Sequence, residues 1–341
     1  MKVRKSYISL VLFVASFASI GFSSNKQLKQ NYERAAEKRW VLEQASAYER
    51  FKSVELRAKK YRQEVMKEAS GVYSQELKEI KKALRELHSS RLTSKQKSTK
   101  AKQIVQDYQY VYKNLATSFR HLALPFQNEM RPYLRGLICR YDAFFNVFCA
   151  DRAAEESPMG EEQIFTAPFG DEEEFMTALL LGFGQADANR YSGFVKTEAT
   201  AVDAGSHYAK AGVLEVLDVP AGVARVKITT TLNSQHSLLA FAIVGVTGGE
   251  SKGYLDVYGD NQFVCTKTSL LGWVMAPVLF YAANSGDLTR TLTCEFTPAA
   301  DGGEYVVASG TLSSVFAALP AATIAETDGE ITEIKVEFLE D

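Results

Sequence analysis

The sequence predicts an α+β, multidomain chain: a long N-terminal α-helical hairpin or coiled coil, then a C-terminal antiparallel β-sandwich, with a jelly roll as one arrangement of its strands. Three observations predict it. The apolar period is helical across residues 25–150 and changes to two across 191–341. The charge reverses between the same regions: 26 basic and 13 acidic side chains in 25–150, against 10 basic and 28 acidic in 151–341. Residues 25–89 hold no proline and one glycine, Gly71, whereas Gly- and Asp-rich turn signals recur after residue 191.

Residues 1–23 place Lys2, Arg4 and Lys5 ahead of the apolar run YISLVLFVASFASIGF, 7–22. This is the layout of an export signal, with Ser19 and Gly21, or Gly21 and Ser23, at the small positions a signal peptidase reads. Sixteen residues interrupted by Ser9, Ser16 and Ser19 fall short of the about 20 that span a membrane. Cleavage is therefore expected, with a signal anchor as the alternative. Export puts Cys139, Cys149, Cys265 and Cys294 where thiols oxidise, so two local disulfides are expected, Cys139–Cys149 and Cys265–Cys294. The first requires a helix end between its partners, because ten helical residues separate ends by about 15 Å. A metal site is the weaker reading of four cysteines without a C-x-x-C or a nearby histidine pair.

In 25–150, Phe51, Val54, Ala58, Tyr61, Val65, Ala69 and Val72 step by three or four, and Leu77, Ile80, Leu84 and Leu87 resume after one step of five. That average is near a coiled-coil repeat. The polar stretch HSSRLTSKQKSTK, 88–100, reads as the hairpin turn, after which Ala101, Ile104, Tyr108, Val111, Leu115, Phe119 and Leu122 restart the stripe. Pro125 breaks it and opens a third segment. Residues 151–190 read as an acidic connector running into a short apolar helix, MTALLLGFG; the acids 171–174 read as a solvated turn rather than a cation cluster.

In 191–341 the alternation is explicit. Val226, Ile228, Thr230 and Leu232 share one face, as do Leu292, Cys294 and Phe296, and Ile334, Val336 and Phe338. LLAFAIVGV, 238–246, fits a strand covered on both faces. TGGE, YGDN, NSGD, ADGGE and TDGE read as turns. SLLGWVMAPVLFYAAN, 269–284, has three readings: two core strands around a Pro277 bend, an oligomer interface, or a membrane-inserting loop, in that order.

No chemistry is assembled by motif. There is no G-x-S-x-G, phosphate loop, H-E-x-x-H or full dinucleotide fingerprint, and GFGQADA, 182–188, supplies two of three glycines. The histidines are His88, His121, His207 and His236; the last two are paired in principle with Asp203 or Asp218. Asp256, Asp260 and Asn261 lack the spacing of a calcium loop. No catalytic, cofactor or metal residues are assigned. The expected role is an exported, non-enzymatic structural or interaction protein of the cell envelope or surface, or of the periplasm, self-assembling as a homo-oligomer through a helical stalk and a β head. Opposite charges on the two halves would assist contact between copies. An anionic lipid, lipopolysaccharide or polyanionic glycan is the reachable acidic partner, and nucleic acid is not. The alternatives are a secreted membrane-active protein and a periplasmic holdase.

Overall fold

The structure is a computed structural model that describes residues 26–39, 41–42, 74–108, 110–111, 114, 118, 161–242, 246–277 and 280–339. The export-type segment, the Cys139–Cys149 pair, the stripe at 51–72 and the segment after Pro125 lie outside the described residues.

Eight antiparallel strands dominate: β1 (Glu161–Phe165), β2 (Asp171–Asn189), β3 (Phe194–Val219), β4 (Arg225–Ala242), β5 (Val246–Gly259), β6 (Gln262–Pro277), β7 (Phe280–Phe296) and β8 (Gly303–Leu339). The described helices are short: α1 (26–39), α2 (Ser74–Ser89) and α3 (Ser94–Asp107). The long helical hairpin or coiled coil is thus overturned. The described residues are mostly β, and α1 and α3 lie against the sheet instead of projecting as a stalk. Among the described residues, no helical stalk is present for self-assembly to use.

The expected turn at 88–100 contracts to residues 90–93. Thr93 and Gln96 form a reciprocal capping box that starts α3 at Ser94, so the polar Lys- and Ser-rich stretch is helical. Ile80, Leu87, Ala101, Ile104 and Val111 of the predicted stripes are buried. The apolar helix expected within 171–189 is strand β2, because its residues pair with β3 along nearly their whole length.

The sheet is folded across its middle. β8 runs along β3 on one edge; on the other it meets β5 over Val306–Ala318 and β4 over Ala321–Leu339. β6 and β7 border β5 and β4 in the same end-to-end fashion. Pairing slips between Leu180 and Gly182 on β2 and between Val202 and Ala204 on β3, opposite the gap from Ala318 to Ala321 on β8. Pro320, in that gap, has no N–H for the ladder, so the sheet is free to bend there.

The two halves of the strands that cross this line, β2, β3 and β8, then face each other. Ser313 and Thr327, both on β8, share a 3.3 Å hydrogen bond between their hydroxyls. Ser309 of β8 donates to Thr230 of β4 at 3.1 Å. The Cys265–Cys294 disulfide ties β6 in the first layer to β7 in the second, as local pairing required. Between the layers lie Val226, Ile228 and Leu232, Leu292 and Phe296, and Ile334, Val336 and Phe338, packed against Val213, Leu217, Leu255 and Val257. These are the alternating positions read from the sequence.

Two turn signals hold: Asp260 and Asn261, with φ of 51° and 59°, make the two-residue β5–β6 hairpin, and ADGGE joins β7 to β8. TGGE, NSGD and TDGE instead lie inside β5, β7 and β8. Their glycines serve packing. A Cβ on Gly248 would lie 2.7 Å from the Phe316 ring, and one on Gly329 would lie 2.9 Å from Leu232.

Replacing Cys294 with alanine opens a cross-link spanning 29 residues. It should cost about 3 kcal/mol, read as a lower urea midpoint, with a matching drop when the unaltered protein is reduced.

Candidate functional site

Each layer has an outer face, and the two differ in what covers them. On the first layer, β2, β3 and β5 point Glu173, Lys210 and Asp256 outward, where α1 covers them with Tyr32 and Arg39. The Lys210 ammonium is 2.8 Å from Glu173 Oε1, 3.4 Å from Asp256 Oδ2 and 2.8 Å from the Tyr32 hydroxyl. Tyr32 and Tyr254 both donate to the same Glu173 oxygen. Arg39 holds the other oxygen of Asp256 at 3.4 Å, reaches Thr266 at 3.0 Å and lies over the Phe263 ring. Lys210 is only 1% exposed and Asp256 is fully buried.

Two cations face two carboxylates, so the cluster is electrically balanced. Burial, and then the neighbouring Glu173 charge, push the Tyr32 and Tyr254 phenols well above their ordinary range, so both remain O–H donors. Every charge in the cluster is engaged by another group under a sealed helix, which makes it a lock for α1 rather than a reaction centre. The acidic run read as solvated is divided by strand alternation. Asp171 pairs with Lys29 of α1 and Glu173 anchors the lock. Glu172 and Glu174 lie on the opposite face of the strand, stay exposed, and accept from the backbone N–H groups of Arg190, just past the end of β2, and Ala188.

On the second layer, α3 packs over β2 and β3, where Lys102 bridges Glu198 at 3.3 Å and Glu326 at 3.0 Å. Over β4 and β7 the face is open. There Thr229, Thr231, Asn233, Gln235 and Ser237 stand opposite Thr293, Thr291, Thr289, Asp287 and Ser285 in register. Asn233, Gln235 and Ser237 are exposed, as are Ser285, Asp287, Thr289 and Thr291. Cross-strand hydrogen bonds order them, with Thr289 donating to Asn233 at 2.8 Å and Thr229 and Thr293 in contact at 3.3 Å. The sequence carried this signal in the odd positions after Ile228: Thr229 and Thr231 on the outer face of the strand read at 224–232, and Asn233, Gln235 and Ser237 beyond it.

The paired histidines are not brought to a common acid. His207 is inside the sandwich on β3, and Asp218 is exposed eleven residues along the same strand, roughly 36 Å away. His236, on β4, has its Nε2 2.9 Å from Asn284 Oδ1. The side chains of Asp203 and His88, and all of His121, lie outside the described residues. Asp256, Asp260 and Asn261 divide between the lock and the hairpin turn. Among the described residues, no three His, Cys, Asp or Glu side chains gather as a metal site. No described helix is long and apolar enough to cross a membrane.

Lys210→Met should remove about 3–5 kcal/mol by stranding two buried carboxylates. Tyr32→Phe should cost about 1–3 kcal/mol, since its hydroxyl serves both Lys210 and Glu173. Equilibrium denaturation checks the size, and faster amide exchange in residues 26–39 checks the place.

No family model matches the chain, and no curated protein does. Among solved structures, the module TmCBM61 bound to β-1,4-galactotriose aligns at 9% identity and TM-score 0.20, over 50% of this chain and 90% of that one. The C-terminal family 22 carbohydrate-binding module of Clostridium thermocellum Xyn10B aligns at 14% and 0.18, over 48% and 94%. The family 11 module from Clostridium thermocellum, in complex with a mixed-linked tetrasaccharide, aligns at 10% and 0.17, over 54% and 100%. At these TM-scores the likeness does not amount to a shared fold.

Proposed function

We propose that this chain is an exported, non-enzymatic binding protein whose binding face is the open lane of β4 and β7, and that its ligand is a neutral polyhydroxylated chain, a glycan. The carrying observation is the lane itself. Ten side chains, of which only Asp287 is charged, present hydroxyls and amides in register on the one sheet face that no described helix covers. Such groups exchange hydrogen bonds with water for hydrogen bonds with sugar hydroxyls without stripping solvent from ions. The spacing, about 7 Å along each strand and about 4.8 Å between them, suits an extended ligand rather than a pocketed one. The disulfide and the signal-type opening support a site of action outside the cytoplasm.

Titration calorimetry with neutral oligosaccharides should give binding that is insensitive to salt. The double variant Asn233→Ala, Gln235→Ala should weaken it about tenfold, or about 1.4 kcal/mol, with the urea midpoint unchanged. Affinity that the variant leaves intact, or no uptake of any neutral glycan, would overturn the reading.

A second reading rests on the line where the sheet folds. The described segments flanking it, 178–183, 202–205, 240–242, 274–277, 280–282 and 315–322, contain one charged residue, Asp203. Insertion of that edge into a bilayer predicts dye release from anionic liposomes; intact liposomes at micromolar protein would remove it.

A further inference from the structure

His207 is placed where the fold is most tightly closed. It lies four residues beyond the slip between Val202 and Ala204 on β3 and points between the layers. It is 4% exposed, and among the described residues neither ring nitrogen has a hydrogen-bond partner. Its ring fits against β2 because that strand has glycines there. A Cβ on Gly184 would lie 2.7 Å from the ring's Cδ2 and Nε2, and one on Gly182 would lie 3.1 Å from the His207 Cβ.

Among the described residues, no counter-ion lies beside the ring to meet a proton. In register, β2 offers Ala178 and β8 offers Val315. The acids of β2 on that side, Glu172 and Glu174, lie further along, are exposed, and accept from backbone N–H groups of Arg190 and Ala188. On β3 itself the charged Lys196, Glu198 and Lys210 occupy the outer faces, paired with Glu326, Lys102 and Glu173. Across the layers, the titratable inward group of β4 is His236, held by Asn284. β8 carries Ser309, Thr311, Ser313, Ala317, Thr323, Ala325 and Thr327 at its neighbouring inward positions.

We propose that His207 is an acid-sensitive pin, and that protonation of its ring releases the edge strand β2 from β3. β2 is the strand to be released because its ladder runs to β3 alone, its remaining ties being the Glu173 and Asp171 contacts at its start and the packing of α3. Burial alone lowers the imidazole's pKa to about 4. With the ring free at its ordinary value near 6.5, the released state binds more protons throughout the window from about 6.5 down to about 4. Opening is therefore favoured as pH falls through that window and gains nothing further below it. The full swing is about 300-fold in the opening equilibrium.

The test is amide hydrogen exchange on the full chain from pH 7 to pH 4, corrected for intrinsic rates, in the unaltered protein and in His207→Met. The expected result is protection of 171–189 falling by up to about 300-fold in the unaltered protein, with the amides of β4 holding and the variant showing no such fall. Equal pH dependence in both proteins overturns the proposal. Should the variant not fold, carbon-detected titration of the imidazoles in the unaltered protein decides. A His207 resonance unchanged until below pH 5 supports the pin, and one titrating near 6.5 in the closed fold overturns it.

Discussion

Everything in this molecule follows from making two layers out of one set of strands. When a sheet folds across a line, residues on the same strand become partners through the fold, as Ser313 and Thr327 do on β8. The inward positions near the line must then be small, because two backbones of a single strand approach each other there. The chain meets this with alanines around the line: Ala199, Ala201, Ala240, Ala242, Ala276, Ala317, Ala321 and Ala325 form one cluster. Further from the line come hydroxyls, Thr197 against Ser313 at 2.9 Å and Ser309 against Thr230. Larger side chains, such as Leu232, Leu255 and Phe296, fill the wide end. A hydroxyl core contributes only about 1 kcal/mol per bond, yet each unmade bond costs more than that. Such a core therefore favours one register strongly over its neighbours.

The same logic governs the helix on the first layer. An apolar stripe on α1 alone would let the helix slide along Leu214, Val306 and Ala308, which are featureless to it. Tyr32, Arg39 and Lys29 each have one place to go, fixed by Glu173 and Asp171 at the start of β2 and by Asp256 on β5. Replacing such a balanced buried cluster with apolar groups often leaves stability unchanged. Its contribution here is position: it sets where α1 stops.

How much of this was legible depended on the distance over which each cause acts. The alternating strands 225–232, 292–296 and 334–338 were readable because one buried face imposes a period of two on neighbouring residues. The Cys265–Cys294 bond was readable because its partners lie on adjacent elements. The glycines at 248, 286 and 329 were misread as turns, since their cause is a side chain arriving from another strand, Phe316, His236 or Leu232. LLLGFG looked helical for the same reason. Its apolar run has no polar alternation, and length alone did not separate a strand from a helix. The lane on β4 and β7 was in the sequence throughout, but its meaning needed the pairing that sets Thr231 opposite Thr291 and Asn233 opposite Thr289.

The charge split between the two halves of the chain takes a different meaning once they are seen together. A basic segment and an acidic one invite the thought of copies attracting copies. In the structure the attraction is answered within one molecule. Lys29 and Arg39 from the basic half hold Asp171 and Asp256, and Lys102 holds Glu198 and Glu326. The cations in these pairs are partly buried, with Lys29 and Arg39 about one-fifth exposed, so salt screens them less than it would a surface contact. The lane on β4 and β7, meanwhile, carries one charge, Asp287, among its ten side chains. Complementary charge closes the covered faces onto their helices, and neutrality marks the face left open. A ligand for that face is therefore selected by hydrogen bonding and shape, with little contribution from the charge that dominates the composition of the chain.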